Sequence, residues 1–314
     1  MGKLDTRHLV DPHLLPLLDA FPTVVLTAES LKEMRERALP PPPAEPCGVV
    51  LERRRVAGPP GAPDVGLGIF RPEAGEGPRG CIYHIHGGGY VGGSVEEFAF
   101  HLTPLAAALG CVIVSVDYRL SPEWRFPAAI EDCYAGLAWT IAHAGELGID
   151  PARIGVMGES AGGGIAAALA LMARDRGEYG LAFQHLTYPM IDDRTCVRPP
   201  HPVTGEFVWP AHNNHFGWSA YLGREPGGDD VPAYAAAARA ADLTGLPPAY
   251  VMVGGLDLFL EENIDYARRL MAAGVATELH VYPGAFHGFD LMPGPPVAEQ
   301  ARAARLSALS RALG

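Results

Sequence analysis

Six short β-rich runs, most of them continuously apolar, alternate with helix-patterned stretches, and this rhythm limits the possible folds more than any other feature. The runs are "CIYHIH" (81–86), "CVIVSVDY" (111–118), "RIGVMG" (153–158), "AFQHLTY" (182–188), "AYVMVGG" (249–255) and "TELHVYP" (277–283). Helix patterns fall at about 96–109, 127–144, 161–176, 261–273 and 296–312, with Pro127 as a start signal and Gly110 as a stop. Strands that are apolar on both faces need cover on both faces. The alternation therefore predicts a mostly parallel, doubly wound α/β sheet with right-handed crossovers.

Two segments depart from the rhythm. Residues 190–230 carry prolines, histidines and the aromatics Phe207, Trp209, Phe216, Trp218 and Tyr221, which reads as an insertion over one end of the sheet. Residues about 8–38 read as one or two amphipathic helices, closed by the stiff run Pro40 to Pro43. The expected division is N-terminal cap helices at 1–45, a core at 46–189 and 231–314, and a cap insertion at 190–230.

A formal charge of −12 argues against a nucleic-acid partner, because a phosphate backbone would repel such a surface. The five cysteines, Cys47, Cys81, Cys111, Cys133 and Cys196, are scattered and form no Cys-x-x-Cys pair, so free thiols are expected rather than disulfides or a metal site. Asp11, Pro12 and His13 interrupt the first apolar stretch, and no later span reaches membrane length. A cytoplasmic protein without membrane insertion is the expectation.

The chemistry centres on "GESAGGG", residues 158–164, within "RIGVMGESAGGGIAAALALMARDR". This reads as strand, tight turn, helix, the context of a nucleophile elbow. Ser160 would then stand on a strained turn, crowded enough to require Gly158 and Gly162 two residues to either side. A phosphate-binding glycine turn would instead end in Gly-Lys-Ser/Thr, which is absent. "HIHGGGYVGG" (84–93) follows another strand and matches the His-Gly-Gly-Gly loop of lipases and esterases. The N–H groups of Gly88, Gly89 and Ala161 are the expected oxyanion donors, and His86 the partner that orders the loop.

The base is expected after the last strand, where His287 sits in "YPGAFHGFD", and the acid after the preceding strand, where Asp257 sits in "GGLDLFLEEN". His280 reads as a packed strand residue; His212 and His215 lie in the insertion, lining a pocket or facing solvent. Glu261, Glu262 and Asp265 fit a helix-dipole role in the first turns of a helix. Tyr90, Tyr188, Trp209, His212, Phe216 and Trp218 are the candidate substrate-binding residues. A neutral imidazole base predicts activity that falls as pH drops through about 6–7.

Together "HGGG", "DYRLSPEWRFPAAIEDC", "GESAGG", "YPMIDDR", "GLDLFLEEN" and "HVYPGAFHGF" resemble the bacterial hormone-sensitive-lipase-like esterases, family IV carboxylesterases of the α/β-hydrolase superfamily. The resemblance covers most of residues 80–290. It implies an α/β-hydrolase fold with an eight-stranded, mainly parallel sheet and a helical cap. It also implies hydrolysis of short- to medium-chain carboxylic esters with no cofactor and no metal, a Ser160–Asp257–His287 triad, and, as in many members, a homodimer. Arg119 and Glu123 match a segment in which a buried ion pair supports the site. Most relatives carry aspartate or threonine before the serine, whereas this chain has Glu159. Adjacent side chains diverge at a sharp turn, so Glu159 is expected to order the elbow or cap and not to act as base. The rival readings are an amide or carbamate hydrolase with the same triad, and a small-molecule receptor on this fold; retention of His287 argues against the receptor.

Overall fold

The computed structural model describes residues 5–20, 23–36, 47–75 and 77–314, so the proline run 40–43 lies outside the described residues. Eight strands form one sheet: β1 (Val49–Val56), β2 (Val65–Pro72), β3 (Arg79–Ile85), β4 (Val112–Asp117), β5 (Ile149–Glu159), β6 (Gln184–Thr187), β7 (Ala249–Gly254) and β8 (Thr277–Tyr282). Their order is β1-β2-β4-β3-β5-β6-β7-β8. The β1–β2 and β2–β4 pairings are antiparallel and all the others parallel. The central strands are fully buried, as their apolar sequences require.

Nine helices were found among the described residues: α1 (Leu15–Ala20), α2 (Ala28–Glu36), α3 (Val95–Leu109), α4 (Ala128–Ala142), α5 (Ala144–Leu147), α6 (Ala161–Arg176), α7 (Ala211–Leu222), α8 (Leu260–Ala272) and α9 (Pro296–Leu313). Helices α4, α6 and α8 bury Leu137, Leu169 and Leu270 in one core, while α3 and α9 bury Leu102, Leu309 and Leu313 on the opposite face of the sheet. Local signals account for the helix ends. Ser94 accepts from the Glu97 N–H at the start of α3, and Gly110 ends that helix in the left-handed region.

Strands β1 and β2 were not among the six runs. "VVLERRRV" carries Glu52 and Arg53 to Arg55 because β1 is an edge strand open to solvent, where charge discourages unwanted pairing. In β2 a side chain at Gly68 would collide with Val95, 2.3 Å away, so close approach of α3 removes the apolar signal there.

The N-terminal segment and residues 206–220 are laced together. Thr6 donates through both N–H and hydroxyl to Glu206, and Leu26 N–H donates to Asn213 Oδ1 at 2.9 Å. Leu26 and Leu31 pack with Val91 of the glycine loop, flanked by Trp209, Phe216 and Ala220. These contacts lie beside the carboxyl ends of the parallel strands, where an open α/β sheet places its ligand crevice.

Candidate active site

β5 ends at Glu159 and α6 begins at Ala161, leaving Ser160 on the turn at φ 55° and ψ −122°. The turn is held by Ser160 N–H donating to Thr187 O, and by the Ser160 carbonyl accepting from Gly164 and Met190, all within 3.0 Å. A β-carbon at Gly158 would lie 2.3 Å from Gly162 O, and one at Gly162 would lie 2.1 Å from Ile85 O. Glycine at both positions is thus a steric requirement of the elbow.

Asp257 follows β7. Its Oδ1 accepts from Phe259 N–H at 2.9 Å, and its Oδ2 faces His287 Nδ1 at 2.8 Å. A carboxylate can only accept, so Nδ1 carries the imidazole proton and Nε2 is left bare. Nε2 accepts from Ser160 Oγ at 2.9 Å. Asp257 is sealed at 1 % exposure while Ser160 and His287 keep 8 % and 7 %, enough for a substrate to reach the hydroxyl. Tyr188 and Phe259 stand edge-on to the His287 ring at 4.7 and 5.2 Å.

The glycine loop follows β3. Gly88 has φ 123°, and a side chain there would lie 2.1 Å from Gly92 O. The N–H groups of Gly88, Gly89 and Ala161 donate to no other group among the described residues. His86 Nδ1 donates to Gly87 O at 2.9 Å, and its ring stacks on Tyr118 at 4.3 Å. Burial pushes the His86 pKa down to about 4, only partly offset by the Gly87 carbonyl, so the ring is neutral at neutral pH and braces the loop.

Glu159 points away from Ser160, toward α3 and α9. Its Oε2 accepts from His84 Nε2 at 2.8 Å and its Oε1 lies 3.4 Å from Arg305 Nη2. Burial disfavours its charge, yet His84 and Arg305 prevail and hold the carboxyl at about 2.

Two expectations are corrected. Arg119 does not pair with Glu123. It grips Asp132 through Nε and Nη2 at 2.7–3.1 Å, and Asp132 also accepts the Arg119 N–H, because the start of α4 offers a buried carboxylate beside the guanidinium. Glu123 instead pairs with Arg35 of α2 at 2.8 Å on the surface. Glu262 is no surface helix-dipole residue either. It is buried and accepts from the N–H groups of Ile191 and Asp192 at 2.8 and 3.3 Å and from the Thr195 hydroxyl. Burial and the neighbouring Asp192 raise its pKa well above the ordinary 4.5, against the pull of those donors.

The aromatic candidates fall into two groups. Trp209 lies 6.5 Å from the His287 ring and against Gly89, with Phe216 partly exposed nearby, whereas Tyr188 is buried, its ring edge-on to the imidazole and its hydroxyl donating to Asp290. Tyr90 and Trp218 sit deeper than the sequence reading placed them. Both are buried, Tyr90 donating to Met190 O at 2.8 Å and stacking on Tyr221 at 4.1 Å, so they fill the core behind the loop instead of an open pocket surface. His212 is exposed and donates to Leu26 O at 3.0 Å, tying the insertion to the N-terminal segment, and His215 faces Glu225 at 2.9 Å. His280 in β8 is half-exposed, against Glu278. Sequence reasoning missed Phe259, two residues past Asp257, and the Tyr188–Asp290–Arg305 chain beside His287, whose signal in "HGFD" is a single aspartate.

Among the described residues no helix is long and apolar enough to cross a membrane, and no group of His, Cys, Asp and Glu side chains is arranged to hold a metal ion.

A family model for the alpha/beta hydrolase fold matches residues 82–291. The chain is 35% identical to Carboxylesterase NlhH of Mycobacterium tuberculosis over 97% of its length and 96% of that protein's. It is 34% identical to Esterase LipI of the same organism, over 91% of this chain and 89% of the relative. A solved structure titled Bacterial Heroin Esterase has a TM-score of 0.89 at 38% identity, with 99% of this chain and 100% of that chain covered.

Proposed function

Because this chain belongs to the alpha/beta hydrolase family, in its hormone-sensitive-lipase-like branch, we infer that it is a serine hydrolase of small carboxylic esters. The observation that carries the reading is the unbroken line of hydrogen bonds from Ser160 Oγ through the His287 ring to Asp257, 2.9 and 2.8 Å long, beside free N–H groups. Ser160 is the nucleophile, His287 the base and Asp257 the carboxylate that fixes the imidazole tautomer. Gly88, Gly89 and Ala161 are the oxyanion donors.

In the first half-reaction His287 Nε2 takes the Ser160 proton while Oγ attacks the ester carbonyl carbon. The carbonyl oxygen becomes an anion held by the three N–H groups, each worth about 3–4 kcal/mol of barrier. Collapse expels the alcohol, protonated by Nε2–H, and leaves an acyl-serine. Water, deprotonated by the same nitrogen, then attacks the acyl carbon, releases the carboxylic acid and returns the proton to Oγ. Asp257 stays ionised throughout.

Residues 1–45 and 190–230 act as one cap over a core of 46–189 and 231–314, a division supported by the hydrogen bonds between Leu26 and the insertion. Trp209 and Phe216 form the apolar surface offered to short or medium acyl chains, with His212 at its rim, while Tyr188 is buried behind the His287 ring. The cysteines, free in the structure, support a cytoplasmic setting, and the family resemblance supports a homodimer. An amide-cleaving role is less favoured, since both Mycobacterium tuberculosis relatives carry esterase names.

The test is intact mass after treatment with a fluorophosphonate, with Ser160→Ala as control. One adduct on the wild type and none on the variant is expected, and no adduct on the wild type would sink the reading. Matched nitrophenyl esters and anilides then set ester against amide hydrolysis, and a chain-length series bounds the pocket.

A further inference from the structure

Behind the elbow, on the side away from substrate, lies a buried chain of polar groups with no step in the chemistry. Arg305 of α9 is largely buried and sits at its centre. Its Nη1 donates to Asp290 Oδ2 at 2.8 Å, and its Nη2 lies 3.4 Å from Glu159 Oε1. Asp290 Oδ1 accepts from the Tyr188 hydroxyl at 2.9 Å, and the Tyr188 ring meets the His287 imidazole edge-on, 4.7 Å between centroids. Asp290 is three residues beyond His287, and Glu159 immediately precedes Ser160. Arg302, one turn earlier in α9, donates to the Asp290 and Leu291 carbonyls at 2.8 and 3.2 Å.

Resting on the assignment of Ser160 and His287 above, we propose that Arg305 is a positioning residue. It joins the nucleophile elbow to the histidine loop and, through Asp290 and Tyr188, holds the His287 ring at its working distance from Ser160 Oγ.

Three features support the proposal beyond proximity. Tyr188 is held at φ 35°, a region unfavourable to a residue with a side chain, and this aims its ring at the imidazole and its hydroxyl at Asp290. His101 and His185, which also face the cluster, are held neutral by burial with Arg305 next, their pKa values pushed down to about 4 and about 3. The cation of Arg305 is therefore answered by the Glu159 and Asp290 carboxylates, one on each catalytic loop. Finally, well-packed apolar residues of like volume are often as stable as a buried ion pair, so placing one guanidinium between two loops is better accounted for by geometry than by folding energy. Displacement of a catalytic group by about 1 Å costs on the order of a hundredfold in rate.

The test uses full-length wild type, Arg305→Met and Tyr188→Phe. Reactive Ser160 is titrated with fluorophosphonate so that every rate is expressed per labelled site. With nitrophenyl butyrate, per-site kcat should fall about 10- to 100-fold in Arg305→Met and about tenfold in Tyr188→Phe, with KM changed by less than about threefold. The losses should not add in the double variant, because both changes cut one path. A purely structural role would instead lower melting temperature and the labelled fraction while leaving per-site kcat intact. A per-site kcat within about twofold of wild type in folded Arg305→Met overturns the proposal. Should that variant not fold, Tyr188→Phe, which deletes one hydroxyl, decides by the same criterion. Failure of the wild type to label at Ser160 overturns the catalytic assignment and the proposal with it; labelling with unchanged per-site kcat in the variants overturns the proposal alone.

Discussion

Glu159→Gln tests whether the residue beside Ser160 is a structural carboxylate. Its pKa lies at about 2 instead of the ordinary 4.5, despite burial, because His84 and Arg305 face it. That difference corresponds to about 3 kcal/mol of folding stability at neutral pH. The folded-state pKa is depressed, so this stability is fully present above about pH 4.5 and is lost as pH falls through about 2. A glutamine can still accept from His84 at the 2.8 Å contact, but its amide turns donors toward Arg305. The expected loss is therefore about 2–3 kcal/mol at pH 7, read by guanidinium unfolding, or about 3–5 °C in melting temperature. The gap between wild type and variant should shrink to about half by pH 3, where the wild-type carboxylate begins to take up a proton. Equal stability of the two proteins at pH 7, or a gap of the same size at both pH values, refutes the electrostatic argument. Per labelled Ser160, kcat should fall less than about tenfold, since Glu159 faces His84 and Arg305 and stands outside the Ser160–His287–Asp257 line of hydrogen bonds. Abolished turnover in a folded variant that still labels at Ser160 would refute its exclusion from the base role.

Two further outcomes follow from the same geometry. At Gly89, where φ is 62°, an alanine β-carbon would lie 2.2 Å from the Trp209 ring, so Gly89→Ala should displace the proposed oxyanion donor and lower kcat/KM by about a hundredfold or more with the fold retained by circular dichroism; unchanged kcat/KM would remove Gly89 from the proposed donor set. Burial and Asp192 raise the pKa of Glu262, so its contribution is present below about pH 4.5 and lost as pH rises, and Glu262→Gln should flatten the decline of melting temperature as pH rises above about 5. A decline as steep in the variant as in the wild type would show that Glu262 is ionised in the fold.

Much of the architecture could be read from the chain because its signals are local. The run "AYVMVGG" becomes β7 over Ala249–Gly254, and "AGGGIAAALALMARDR" becomes α6 over Ala161–Arg176. Burial on both faces writes continuous apolar sequence into a strand, and one helix turn needs only its own neighbours. Strand β1 escaped notice because edge pairing relies on main-chain bonds to β2 and leaves its side chains free to be charged. The insertion helix α7, "AHNNHFGWSAYL", was legible only as an aromatic break, since its Asn213 and Asn214 are buried by contacts with distant segments.

Sequence alone determined the alternation of elements, the glycines that the Ser160 turn and the 87–89 loop need, and the chain order of Ser160, Asp257 and His287 that the structure brings into one hydrogen-bonded line. These depend on backbone sterics and on the connectivity of a parallel sheet, which act within a few residues or through strand order. Tertiary structure decided the choice of partners. Arg119 takes Asp132 over Glu123, Glu262 turns inward to hold the turn at 191–195, and Tyr90 and Trp218 sink behind the loop. It also brought Arg305 to Glu159 across 146 positions and Tyr188 to Asp290 across 102. A charged side chain with several oppositely charged candidates has no local rule by which to choose. The choice is made by which carboxylate the packed helices leave desolvated and within reach.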